Sequence, residues 1–378
     1  MGRFSELSDS LIEAGSIRIN EMVYDLQRRG KKVCVLSLGE AFFDIPLFEF
    51  RALDFEKGYH YSSSRGTPEL RRRISSFYER EYGASVDPET QTLASAGSKP
   101  LLHMAFQALL NPGDEVLVPE PYWVSYPEQI KISRGETKGI PYWENVKNYH
   151  HYLSEKTKGL IINNPNNPSG RVYNPVELEL LYQQCVQNDT FLIVDEAYSD
   201  FCLDNSFFTS ARLDQGLKNL VVVNSLSKNM GMSGWRLGYA FSEPEMINRM
   251  MKFNQHLLTC PSTVLSLYVE TYFDDLLEVT LPQVKRVVEK REKVAEVLDR
   301  LGIDRMPGES TFYFMINIER SGKKSEDFAL WLLENHKIAT VPGVFYGDSC
   351  DEFVRIGVGT EGLEDIQNAL QVIRDSFL

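Results

Sequence analysis

The sequence predicts an α/β protein: a large domain with a mostly parallel sheet flanked by helices, plus a smaller α+β domain. Three observations predict it. Short apolar runs rich in Val, Ile and Leu recur at 115–118, 160–162, 191–194, 221–223 and 237–241, each closed by polar or turn residues, as strands buried on both faces should be. Amphipathic stretches lie between several of them, such as 100–110 and 175–186, where apolar residues return every three or four positions after a Pro or polar start. From about Leu281 a long charged helical pattern, QVKRVVEKREKVAEVLDRLG, runs to Gly302, and the remainder of the chain reads as a separate α+β unit.

In chain order, a helix through 22–29 and an extended segment at 33–38 come first, too little to form a core alone. They are expected to pack onto the smaller domain. Alternating strands and helices then give a large domain over 46–284, and the charged helix carries the chain out of it. A strand at 312–318, a helix at 325–335, an extended segment at 354–358 and a final helix from Leu363 complete the smaller domain, formed by 1–45 with 285–378. No internal repeat, low-complexity tract or long linker interrupts this order, so the boundaries fall in ordinary loops.

With 378 residues, 43% of them hydrophobic, the chain can bury a substantial core. Its 40 basic and 53 acidic residues leave a net charge of -13, which repels a phosphate backbone and an anionic leaflet. Neither nucleic acid nor a membrane is expected as a partner. Five scattered cysteines without a CxxC pair argue against a zinc knuckle or a disulfide framework, and no metal-ligand histidine spacing is present. The opening MGRFSELSDSLIEAGS carries acids where a signal peptide needs an apolar run, and no stretch approaches the roughly 18 apolar residues of a membrane span. A cytoplasmic protein is the expectation.

The residues that end the apolar runs carry the chemistry, because ligand sites in open α/β sheets form at the carboxyl ends of strands. The second run is followed by Asn163-Asn164-Pro165-Asn166-Asn167-Pro168-Ser169-Gly170, the third by Asp195-Glu196-Ala197-Tyr198, and the fourth by Asn224-Ser225-Leu226-Ser227-Lys228. A lysine just after a buried strand is costly unless paired, deprotonated or covalently occupied. A solvated loop lysine is the plain alternative. Here Gly231 and Ser233-Gly234-Trp235-Arg236 come next, setting a second cation in a Gly-rich turn, which suits a Schiff-base lysine with a phosphate beside it.

The segment S-L-S-K-N-M-G-M-S-G-W-R-L-G-Y resembles the cofactor-lysine segment of class I/II aminotransferases, the fold-type I pyridoxal-phosphate enzymes. N-N-P-N-N-P-S-G and V-D-E-A-Y are similar to two further signatures of that family, in the same order. K-V-C-V-L-S-L-G-E, Y-H-Y-S-S-S-R-G-T-P-E-L-R, P-E-P-Y-W-V-S-Y and F-V-R-I-G-V-G extend the likeness over nearly the whole chain.

That resemblance implies pyridoxal 5'-phosphate as cofactor and a role for each matching residue. Lys228 would form the Schiff base and shuttle the Cα proton; Asp195 would sit beneath the pyridine nitrogen and keep it protonated. Asn167 and Tyr198 match the pair that hydrogen-bonds the ring's 3-oxygen, and Trp123 the aromatic stacked on the ring face. Gly97, Ser98 and Lys99 match the phosphate loop at a helix start, Ser225 and Arg236 its other ligands in the same chain, and Tyr61 a tyrosine reaching the phosphate from a second subunit. A homodimer is therefore implied. Arg355 matches the clamp on the substrate α-carboxylate, and Gly39 the glycine whose backbone borders the substrate.

Two features depart from the family pattern. Many aminotransferases read G-E-P-D-F-D-T-P where this chain has Gly39-Glu40-Ala41-Phe42-Phe43-Asp44-Ile45-Pro46, and His60 and His103 are not motif residues. His103 reads as a packed histidine, whereas His60 and the Glu40–Asp44 loop are candidates for lining the site. The leading expectation is transfer of an α-amino group from an L-amino acid to a 2-oxo acid. Elimination, replacement or cyclisation of a β- or γ-substituted amino acid would use the same Lys228, Asp195 and Arg355. A ligand-sensing domain of a transcription regulator would need a DNA-binding segment that the sequence does not contain.

Overall fold

The structure is a computed structural model that describes residues 4–13, 15–203 and 207–377. Among these residues the strands are β1 (Cys34–Val35), β2 (Thr92–Ser95), β3 (Glu115–Pro119), β4 (Glu136–Ile140), β5 (Thr157–Asn163), β6 (Phe191–Asp195), β7 (Leu220–Ser225), β8 (Gly238–Ser242), β9 (Tyr313–Asn317), β10 (Ile338–Ala339), β11 (Val341–Pro342) and β12 (Phe353–Gly357). A large sheet runs β2-β8-β7-β6-β5-β3-β4. Its five strands from β4 to β7 are mutually parallel; β8 runs against β7, and β2 against β8.

Side chains on a strand alternate faces, so an all-apolar strand must be covered on both. Ile161, Ile193, Val221 and Val223 point into one layer, packed by helices Ser98–Leu109 and Pro244–Leu257. Leu160, Ile162, Leu192, Val194, Leu220 and Val222 point into the other, packed by Pro68–Tyr82 and Pro175–Gln187. This is why those runs lack the polar alternation of a half-exposed strand. Helix Pro175–Gln187 starts on a full capping box, with the Asn174 side chain accepting from the Glu177 N–H and Glu177 answering at the Asn174 N–H.

Three expected boundaries are corrected. The charged helix begins at Phe273, well before Leu281, and runs to Leu301 with Pro282 inside it. Pro282 lacks an N–H, yet Leu276, Leu277, Thr280, Val284, Val287 and Val288 are buried on both sides of it, and the Gln283 side chain donates to the Val279 carbonyl at 3.0 Å. Packing holds the helix together through a residue that locally favours a start. The first long helix likewise begins at Gly15 rather than Met22. Of the segment 33–38 only Cys34–Val35 is a strand, and it pairs in parallel with β10.

β11, β12 and β9 form a small antiparallel sheet. Helices Ser325–His336, Leu363–Asp375 and the second half of Phe273–Leu301 cover it around Phe314, Ile316, Phe328, Val354 and Ile373, and Leu36 joins that core from the beginning of the chain. Among the described residues no helix is long and apolar enough to cross a membrane.

Candidate active site

The parallel strands β5, β6 and β7 end side by side, with Asn163 in register with Asp195, and their last residues open one crevice. The Asn163 amide donates to the Asp195 carbonyl at 2.7 Å and its oxygen accepts from the Asn167 N–H at 2.6 Å, folding the Asn-Pro-rich turn back over the strand ends. Asp195 is buried and accepts from the Tyr126 hydroxyl at 2.8 Å and the Ala197 N–H at 3.1 Å. Burial pushes its carboxyl up to about 6, while those hydrogen bonds and the Lys228 charge pull the other way.

Lys228 lies on a single helical turn, Leu226–Asn229, directly after β7, and the Ser225 hydroxyl caps that turn by accepting from the Ser227 N–H at 3.0 Å. Its Nζ faces the crevice and donates to the Gly39 carbonyl at 2.8 Å. Desolvation lowers the amine to about 8; Glu40 opposes this, and the nearby Arg355 and Arg236 charges reinforce it. A lysine in this state is a usable base just above neutral pH.

Arg355 enters from β12, only 4% exposed. One terminal nitrogen donates to the Ser37 carbonyl at 2.6 Å and the other to Asn167 Oδ1 at 3.3 Å, while its Nε is buried without a partner among the described residues. The guanidinium lies 4.6 Å from the Tyr313 ring centre and 5.5 Å from that of Tyr346. Among the described residues no carboxylate hydrogen-bonds to this buried cation, so an anionic ligand is the natural complement.

Gly97 has φ of +99°, which only glycine adopts without strain, and an added Cβ would lie 2.7 Å from an Arg236 guanidinium nitrogen. Helix Ser98–Leu109 starts immediately after it, its free N–H groups at the crevice edge. The Lys99 ammonium lies 4.9 Å from the centre of the Trp123 ring. Across the gap, a Cβ on Gly238 would meet the Ser98 nitrogen at 2.6 Å, so β8 needs glycine to let this loop approach.

One cavity is thus lined by Gly39, Ser98, Trp123, Asn167, Asp195, Tyr198, Lys228 and Arg355. Gly97, Lys99, Ser225 and Arg236 are not on its lining: Lys99 lies against Trp123, Gly97 approaches Arg236, and Ser225 caps the Lys228 turn. Tyr61 is not brought there; it is 84% exposed and, with the exposed His60, lines a separate surface groove with Thr263 and Leu267. His60 therefore does not line the cavity within this chain. In the departing loop, Glu40 accepts from the Ser233 hydroxyl at 2.6 Å, Asp44 exchanges hydrogen bonds with the Gln283 amide, and Phe42 is 71% exposed. A small recess bounded by Glu40, Ala41 and Phe42 reaches Lys228.

The family profile "Aminotransferase class I and II" matches residues 23–373. The chain belongs to the class I and II aminotransferases. It is 30% identical to an aspartate aminotransferase of Pyrococcus abyssi, over 98% of this chain and 99% of the relative, and 28% identical to aromatic-amino-acid aminotransferase 2 of Thermococcus litoralis, over 97% and 98%. The solved aspartate aminotransferase from Thermus thermophilus with maleate superposes with a TM-score of 0.89 over 100% of both chains at 27% identity. The protein is a pyridoxal-phosphate-dependent aminotransferase, moving amino groups between amino acids and 2-oxo acids. Elimination or cyclisation on the same scaffold is not favoured by these likenesses.

Several residues around this aminotransferase's cavity carry no signal in the sequence. Ser16 and Asn20 come from the first long helix, Ser37 from the segment after it, and Tyr313 from β9. Ser37 donates to Asn20 Oδ1 at 2.7 Å. No local pattern marks Ser16 or Asn20, since the helix carrying them is placed by distant packing; Tyr313 stands in an aromatic run, Phe312-Tyr313-Phe314, that reads as core. Tyr126 beneath Asp195 follows the same rule, its Y-P start resembling any helix start.

Proposed function

We propose that Lys228 carries the cofactor in this cavity and that Arg355 receives the substrate α-carboxylate. The observation that carries the reading is the convergence of a desolvated amine, a buried carboxylate and a buried, incompletely answered guanidinium in one crevice. The residues fit pyridoxal phosphate: the Gly97 turn, the start of helix Ser98–Leu109, Ser225 and Arg236 offer donors and positive charge for a phosphate, a cradle that any Cβ at Gly97 would fill. When bound, the group supplies an aldehyde for the amino group and a ring that accepts electrons from Cα.

Each residue then has a task. Trp123, on the cavity wall, would cover one ring face. Asp195, buried beneath the site, would stabilise a proton on the ring nitrogen by charge pairing. Asn167 and Tyr198 would hold the ring oxygen by donated hydrogen bonds, and Asn167 would couple that oxygen to Arg355, which donates to its Oδ1. Lys228 Nζ, free when the substrate amine takes its place, would take the proton from the substrate Cα and deliver it to the cofactor's former aldehyde carbon. The Gly39 carbonyl, which now holds Nζ, keeps the amine aimed at the cavity.

The large domain of 46–284 would hold the cofactor, and the small domain of 1–45 with 285–378 would bring Arg355. The working form is proposed as a cytoplasmic homodimer in which Tyr61 reaches the neighbouring phosphate, a reading supported by its 84% exposure and by the exposed Tyr59 beside it. The amino donor is proposed among aspartate-like and aromatic amino acids, as the relatives' names suggest. A panel of amino acids added to the purified, cofactor-loaded protein tests this: a true donor removes the visible absorption once per site, and a 2-oxo acid restores it. Borohydride reduction and peptide mapping should find the cofactor on Lys228. Label on any other lysine overturns the assignment.

A further inference from the structure

We propose that Tyr313 is the positioning residue that aims the Tyr198 proton into the cavity, by donating its own phenolic hydrogen to the Tyr198 oxygen. This rests on the reading that the cofactor's ring oxygen lies beside Tyr198. The two hydroxyls are 2.9 Å apart and both residues are buried. Geometry alone allows either to donate; the role of Tyr198 beside the ring oxygen decides between them, because a phenol has one hydrogen to give.

If Tyr198 donated to Tyr313, its one hydrogen would be spent and none would be left for the ring oxygen, while Tyr313, which also borders the cavity, has Tyr198 as its one hydrogen-bond partner among the described residues. If Tyr313 donates, both hydrogens can be used. The Tyr198 oxygen then accepts from Tyr313 and, at 3.4 Å, from the Asn167 amide, while its own hydrogen is left for the cavity that Tyr198 lines. The arrangement would also be hard to displace. A Cβ on Gly39 would sit 3.2 Å from the Tyr313 hydroxyl, so the segment that holds Lys228 closes over it.

Tyr313 also touches the other end of the substrate site, because the Arg355 guanidinium rests against its ring. Burial raises the Tyr313 phenol and the cation opposes that rise, as it does at Tyr198. One residue therefore spans the carboxylate clamp and the group that holds the ring oxygen. The charged and titratable groups facing the pair are Arg355 from β12, Asp195 from β6, Lys228 after β7 and Glu40 from the first segment, with Tyr346 on Arg355 as well. None of them is removed by deleting the Tyr313 hydroxyl.

The test is Tyr313→Phe in the cofactor-loaded protein, with Tyr346→Phe as the comparison, since the Tyr346 hydroxyl is buried without a hydrogen-bond partner among the described residues. Visible absorption is titrated against pH. A bond donated to the ring oxygen favours the deprotonated chromophore, so its weakening in Tyr313→Phe should raise the midpoint by roughly half to one pH unit. The kcat should fall while the KM for the amino donor stays within about twofold, because the ring supporting Arg355 remains. An unchanged midpoint in Tyr313→Phe, or an equal rise in Tyr346→Phe, overturns the proposal. Borohydride mapping of Tyr313→Phe separates the two readings: label on Lys228 leaves the cofactor site standing whatever the midpoint does, and label elsewhere removes both.

Discussion

At the scale of single residues, the site works by moving ionisation into the range where it is useful. Lys228 is the clearest case. An exposed lysine ionises near 10.5, whereas desolvation brings this one to about 8. The folded state thus holds fewer protons than the unfolded chain between those values, so the amine's contribution to stability rises with pH across that window and its penalty is fully present below about 8. Function follows the same sign. Only the unprotonated amine attacks an aldehyde, so capture of pyridoxal phosphate by the apoprotein should speed up about tenfold per pH unit below 8 and level off above it. Stopped-flow absorbance against pH would measure this, and a plateau reached only near 10 would mean that the lysine is solvated in the apoprotein.

At the scale of elements, the strand ends are braced from beneath by the helix Pro68–Tyr82. Tyr78 and Tyr82 lie one turn apart on the same face. Tyr78 donates to Glu196 at 3.2 Å and accepts from the Asn224 amide at 2.7 Å; Tyr82 donates to Asp200 at 2.5 Å and also contacts Ser199. Glu196 follows Asp195 in sequence but points to the opposite side, where burial lifts its carboxyl to about 7 and Thr209 and Ser210 donate to it. Tyr78→Phe leaves the Glu196 and Asn224 groups short of a partner, and thermal or denaturant unfolding should report a loss of about 1–3 kcal/mol. A loss below about 0.5 kcal/mol would mean that the pair is re-satisfied without the phenol. None of this brace is visible in the sequence, where Tyr78 and Tyr82 read as ordinary apolar-face residues. The large-sheet strands are visible because burial on both faces leaves an unbroken apolar run, and Asp195 and Lys228 because they break such runs at the same end. The start of helix Phe273–Leu301 is hidden by Pro282, and Ser16 and Asn20 by a helix whose position is fixed only through distant contacts.

At the scale of the whole molecule, the single chain leaves Leu47, Tyr59 and Tyr61 more than 70% exposed, a cost in water that a second copy would relieve. A mixed dimer with Tyr61→Ala in one subunit and Lys228→Ala in the other should therefore keep about half of the wild-type activity, because one site carries both lesions and the other neither. Loss of all activity in that dimer, with cofactor still bound, would show that Tyr61 serves its own subunit. The short parallel ladder between β1 and β10 has a different consequence. It joins segments about three hundred residues apart, and the same closure sets Ser37 against Arg355 and Gly39 against Lys228. A chain emerging from the ribosome exposes the lysine long before the segment bearing Arg355 has been made, so the large sheet can fold first while the reaction site waits for the last strands. Premature termination after β8 would yield a product that keeps Lys228 yet lacks Arg355, the proposed carboxylate clamp, and on that proposal the nascent enzyme stays catalytically silent until its synthesis is nearly complete.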